Sequence, residues 1–228
     1  MTQSRRLTLT TLGAAFVAML LAIIAIGPAE AGAEAEYRVT VYNITDGQPQ
    51  TPWVVATHSG PIKAFRSGQP ASPGIQSVAE NGGVPDLVNE LSGVVYDAAV
   101  AGGGAIAPGG SASAYVTSGP GARKLTVVGM LICTNDGFAG LNSVTLNRSG
   151  SQTFYGVAYD AGTEINTQEY ADLVPPCDGL GQTGMTNPEL AENGVVHPHP
   201  GITDDGDLST AVHGWDGPVI KVVVERVG

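Results

Sequence analysis

The feature that most constrains the fold is a recurring one: short runs in which apolar and polar side chains alternate, each cut off by Gly or Pro. Tyr37–Val41, Trp53–His58 and Ala114–Thr117 follow this pattern, and Phe154–Tyr159 and Val219–Val224 read the same way. A side-chain period of two is that of a strand with one face buried. Lys124–Ile132 is apolar almost throughout, the strongest strand signal in the chain and too apolar for an edge. The 32 glycines and 15 prolines supply the turns between these runs. Many short strands with such punctuation predict a mainly β fold, a single antiparallel β-sandwich, whose first and last strands pair to close it. Helix is scarce. Val84–Leu91, ended by Gly93, carries apolar residues at helical spacing, and a second short turn is expected at Gln168–Leu173. Gly102–Gly110 lacks the lysine of a phosphate-cradling loop and reads as a flexible connection.

The amino-terminal segment sets the expected compartment. Arg5 and Arg6 precede an apolar run from Leu12 to Ile26, followed by Ala29-Glu30-Ala31, the form of a cleaved secretory signal at residues 1–31. Ser4–Leu9 also has the form of a twin-arginine leader. An uncleaved anchor is the alternative, so contact with a membrane is expected only transiently during export or through a retained leader. Residues 32–228 then form one domain, secreted, periplasmic or at the cell surface. Of 10 basic and 21 acidic side chains, loss of Arg5, Arg6 and Glu30 leaves 8 and 20, a net charge of −12. Scattered basic residues in so acidic a chain argue against nucleic acid as a partner. The two cysteines, Cys133 and Cys177, are an even pair in an exported chain, and a single disulfide follows as the expectation.

Two acidic loops follow strongly apolar segments. The strand ending at Ile132 runs into Cys133–Gly140, and the strand ending at Tyr159 runs into Asp160–Asn166. Loops at one end of a sandwich meet readily. Asp136, Asp160 and Glu164 would then form a carboxylate cluster that repels itself unless a hard cation sits within it. Gly162 permits the tight turn that lets Asp160 and Glu164 face one point, and carbonyls with the Asn135 or Asn166 amides would complete a calcium shell. Asp and Asn beside Gly are also ordinary turn residues, and the spacing is not that of a helix-loop-helix calcium motif. Both readings stand on the residues alone.

Thr134–Leu141 followed by Tyr159-Asp160-Ala161-Gly162-Thr163-Glu164 resembles the paired signature of the spondin N-terminal domain, in its bacterial exported branch. Pro52–His58, Ala79–Gly82, His197–Ile202, Gly206–Leu208 and Trp215 are similar to further parts of that family, so the likeness runs from about Tyr37 to the end of the chain. The resemblance implies a β-sandwich like that of C2 domains, with one or two short helices and with Ca2+ held by Asp136, Asp160 and Glu164. It also implies adhesion or matrix recognition outside the cell, with an extracellular protein or glycan as ligand. Glu164 departs from the Asp usual at the third position in animal members, which shifts that carboxylate.

Other chemistry competes for the polar residues. His197 and His199 stand two apart, as in several zinc and copper sites, with His213 or His58 as a conceivable third ligand, although Pro198 and Pro200 favour an extended loop. Asp204-Asp205-Gly206-Asp207 reads as a solvated turn or a second cation site. Neither a Gly-x-Ser-x-Gly elbow nor a His-Glu-x-x-His pair occurs, so a non-enzymatic binding domain is expected, with a metal-dependent hydrolase or a His-ligated zinc or copper protein as the alternative.

Overall fold

The computed structural model describes residues 33–177 and 186–228; the leader expected at 1–31 lies outside them. In chain order the elements are β1 (Ala35–Asn43), β2 (Trp53–His58), α1 (Pro73–Asn81), α2 (Val84–Leu91), β3 (Asp97–Ala101), β4 (Ser111–Ser118), β5 (Lys124–Met130), β6 (Gly137–Thr145), β7 (Ser151–Asp160), β8 (His197–Pro198), α3 (Thr210–His213) and β9 (Ile220–Arg226). The fold is mainly β, with three short α-helices among the described residues where one or two were expected.

All the pairings between these strands are antiparallel, and they run in the order β3-β2-β5-β6-β7-β9-β1-β4, with β8 beside β7. The first and last strands pair as anticipated, Val39 opposite Val224 and Val41 opposite Val222. The long strand β7 joins two halves of the sheet: Ser151–Gly156 pairs with β9, and Val157–Asp160 pairs with β6. The sheet curls nearly into a barrel. Its two ends approach where the Thr57 hydroxyl donates to the Thr117 carbonyl at 2.5 Å and Thr117 N donates to Asp97 Oδ2 at 2.6 Å.

Alternation decides what fills the inside. Tyr37, Val39 and Val41 of β1 point inward with Val222 and Val224 of β9, against Trp53, Val55, Leu125 and Val127. A second apolar layer covers the outer face of β2, β5 and β6, where Val54, Val128, Met130 and Phe138 pack against Ile75, Val78, Leu87 and Leu91 of the helices. Burial on both faces is why β5 is almost continuously apolar, and it corrects the half-buried reading of Trp53–His58, since every residue of β2 is buried. Helix α1, not anticipated, starts at Ser72, whose hydroxyl accepts from Ile75 N, has Pro73 at its first turn, and stops at Gly82 in the left-handed region (φ 65°). α2 is the helix expected, and Tyr170–Asp172 forms the short turn. The glycine-rich connection is anchored by Ile106, which is buried and exchanges backbone hydrogen bonds with Gln50.

Cys133 and Cys177 form the expected disulfide, with Cα atoms 5.2 Å apart. Among the described residues no helix is long and apolar enough to cross a membrane.

Candidate metal centre

The site forms where β5 turns into β6 and where β7 ends. The Thr134 hydroxyl donates to Leu131 O at 2.6 Å and accepts from Gly137 N at 2.9 Å, which fixes a tight turn and delivers Asp136 to the foot of β6. The loop expected to run to Gly140 is therefore shorter, because residues from Gly137 onward pair as strand with β5 and β7. Gly140 is there for packing. A Cβ at that position would lie 2.8 Å from the Phe65 and Tyr159 rings.

The two acidic loops do meet. Asp160 faces Gly137 across the ladder, and Ala161 N donates to Asp136 O at 3.1 Å. Asp136 Oδ2 accepts from Thr163 N at 2.7 Å, Glu164 N at 3.1 Å and the Thr163 hydroxyl at 3.2 Å. Asp160 Oδ1 accepts from Gly162 N at 2.8 Å, and its Oδ2 accepts from Asn166 Nδ2 at 2.7 Å. Gly162 adopts φ 67°, and a Cβ there would stand 2.6 Å from Val195 N, so steric room as well as conformation requires glycine.

Both aspartates are buried, at 0% and 1% exposure. Burial, followed by repulsion from Asp160, pushes the Asp136 carboxyl up to about 6 despite its three donors. Its other oxygen, Oδ1, is buried without any partner. The Glu164 carboxylate turns elsewhere: Oε1 accepts from Asn187 N at 2.9 Å. Burial lifts it to about 7, and repulsion from Glu80 outweighs that from Asp136 and Asp172. Glu80, unforeseen from the sequence, is buried and holds Thr186 and Gln76. Asn135 is occupied with Thr167 and the Gln168 amide. The structure thus brings Asp136 and Asp160 together and sets Glu164 to one side.

Histidines border the same pocket of charge. β8 places His197 opposite Asp160, with Nε2 at 3.4 Å from Asp160 Oδ1. His199 lies against Gly137, packs edge-on to Trp215, and accepts from Gly201 N at Nδ1. Burial is the main cause that holds it down to about 4, with His197 adding and Asp160 opposing. Its Nε2 has no partner. Among the described residues four buried polar side-chain atoms lack one, and two of the four, Asp136 Oδ1 and His199 Nε2, fall here. Such orphans are costly in a folded chain, and a bound water or ion would relieve them.

The Asp204–Asp207 turn is accounted for without an ion. Asp204 accepts from Thr210 N and its hydroxyl, Asp205 from the Thr203 hydroxyl, and Asp207 from Tyr170 N. His58 is likewise bonded, to Thr126 and Ser59. One set of three ligand-type atoms among the described residues lies within 4.8 Å of one another, and it is Cys133, Cys177 and His213 rather than the acids.

These features define the class: a mainly β, disulfide-bonded domain with a buried acidic pair at one end of its curled sheet. Comparison with protein-family models and with the curated proteins finds no match. The likeness to spondin domains therefore rests on the residues quoted above.

Proposed function

We propose that the chain is an exported, non-enzymatic recognition or adhesion domain that binds Ca2+ at Asp136 and Asp160, with an extracellular protein or glycan as its partner. The observation that carries the calcium assignment is Asp136 Oδ1: a fully buried carboxylate oxygen with no donor, beside a second buried carboxylate. Two such groups repel until one takes a proton or a cation arrives. Oxygen donors at a turn suit a hard ion of flexible coordination, which describes calcium better than magnesium. Glu164 would join the acid pair only by giving up its bond from Asn187 N. Asp136, just before β6, and Asp160, at the end of β7, would hold the ion, while Thr163 N and Glu164 N keep the first carboxylate oriented. The disulfide and the form of the leader support export.

A second reading has one observation in its favour, the unpartnered Nε2 of His199 near Asp160 and His197. It makes the ion zinc or copper. Calorimetric titration of the metal-stripped, disulfide-intact domain separates the two. Heat with calcium that is abolished by Asp136→Asn supports the first; heat with zinc alone, abolished by His199→Gln, replaces it.

A further inference from the structure

The buried imidazole of His213 takes no part in the acidic site. A ring nitrogen of His213 and the sulfurs of Cys133 and Cys177 all lie within 4.8 Å of one another, and the three residues are buried. They arrive from separate places: the turn before β6, the segment after the Tyr170–Asp172 turn, and the end of α3. Contacts other than the sulfur bridge hold Cys133 and His213 there. Gln48 accepts from Cys133 N at 3.0 Å and donates to Cys133 O at 3.0 Å and His213 O at 2.7 Å, so one buried amide ties the two backbones together. Ser209 N donates to Nδ1 at 3.1 Å and Tyr170 packs edge-on at 6.1 Å; an ion bound at Nδ1 would displace Ser209 N, and one bound at Nε2 would need the ring proton moved to Nδ1.

We propose that reduction of the Cys133–Cys177 disulfide turns this cluster into a Cys2His site for a zinc-class metal ion. A dithiol passes two electrons and two protons to the S–S bond; that bond breaks, two protein thiols form, and the dithiol becomes a cyclic disulfide. Metal binding then releases a proton from each thiol, and two thiolates join the imidazole around the ion. That donor set is the one used by zinc sites that keep a fourth position open. In the oxidised chain the sulfurs carry no thiolate charge, so the cluster offers the ion a single good ligand. Soft donors separate this site from the oxygen-lined acidic pair, and the inference does not depend on the calcium reading.

The test uses the full chain, reduced with a phosphine, which is oxidised to its oxide and adds no competing thiol. Co2+ serves as the coloured probe for zinc. The reduced protein should take up one equivalent with a near-ultraviolet thiolate-to-cobalt band that zinc bleaches, and the disulfide form should show none. His213→Gln should weaken cobalt binding at least about tenfold, the smallest loss usual for even an outer-shell partner. Melting is followed in parallel, and zinc should raise the melting temperature of the reduced protein. Any one of four results overturns the proposal: no band after reduction, the same band with the disulfide intact, unaltered affinity in His213→Gln, or reduced protein that zinc fails to stabilise.

Discussion

The strands β4, β1 and β9 and the strands β2, β5 and β6 contribute to the same interior, yet their outer faces differ. The first set leaves its outer face to solvent, where Tyr115 stands 57% exposed, Lys221 lies over the Tyr42 ring, and Arg38 pairs with Glu225. The second is roofed by α1, α2 and the Phe65–Phe138–Tyr159 aromatic cluster. The buried acids Asp136 and Asp160 occur at the end of the roofed half. Only there does the surrounding apolar layer make an ionised carboxylate costly enough for a bound cation to matter; on the bare half water would screen it.

The largest expected effect of breaking this contrast is in the roof. Phe138 is fully buried against Phe65 and Tyr159, next to the turn that carries Asp136. Phe138→Ala should lower stability by about 3–5 kcal/mol in a denaturant titration. A loss near zero would mean that the roof is not packed as described.

A smaller, signed effect is expected from pH. In metal-free protein Asp136 titrates at about 6 and Glu164 at about 7, both raised chiefly by burial. A carboxyl raised in the folded state binds its proton more tightly there than in the open chain. Its contribution to stability is therefore complete below about pH 4, the unfolded range, and is lost as pH rises through 6 and 7. Each responding group changes stability by up to about 1.4 kcal/mol per pH unit. Chelated protein should melt at lower temperature at pH 8 than at pH 5, whereas calcium affinity should climb over the same interval. A chelated protein that is more stable at pH 8 would show that these acids are already compensated.

The smallest effect belongs to the bare face. Tyr155→Ser, at a residue 57% exposed on β7, should shift stability by no more than about 0.5 kcal/mol and leave metal binding unchanged. A larger loss would reveal that this face is covered.

The same contrast governed what could be read beforehand. β1 was legible because one face is wet, so its residues alternate, and β9 because it is a valine-rich run near the end of the chain. The pairing of the two termini followed from those patterns. In the roofed half, β5 was visible as an apolar run, but β6 was not, because Asn135-Asp136-Gly137 and Gly140 spell a turn in sequence. Gly137 and Gly140 are instead strand positions where a side chain would collide with Thr134 or with two aromatic rings. α1 was hidden by Gln69-Pro70-Ala71-Ser72-Pro73-Gly74, which reads as loop until Ser72 and Pro73 are recognised as a cap and first turn. The meeting of Asp136 with the Asp160 loop was foreseeable from Asp and Gly at strand ends. The diversion of Glu164 was not, since its partner is the backbone amide of Asn187, which leaves no mark in the sequence.

The central claim is that the buried pair at Asp136 and Asp160 is a cation site, and melting of the disulfide-intact protein with and without calcium tests it most directly. An ion held only by the folded chain, at a hundredfold excess over its dissociation constant, adds about 2.7 kcal/mol. Wild-type protein should gain a melting increment of that order, and chelator should remove it. Asp136→Asn keeps an oxygen for Thr163 N and Glu164 N but removes the charge, so it should melt higher than chelated wild type at pH 8 and ignore calcium. Wild-type melting indifferent to calcium, or an Asp136→Asn protein that still responds to it, would contradict the assignment.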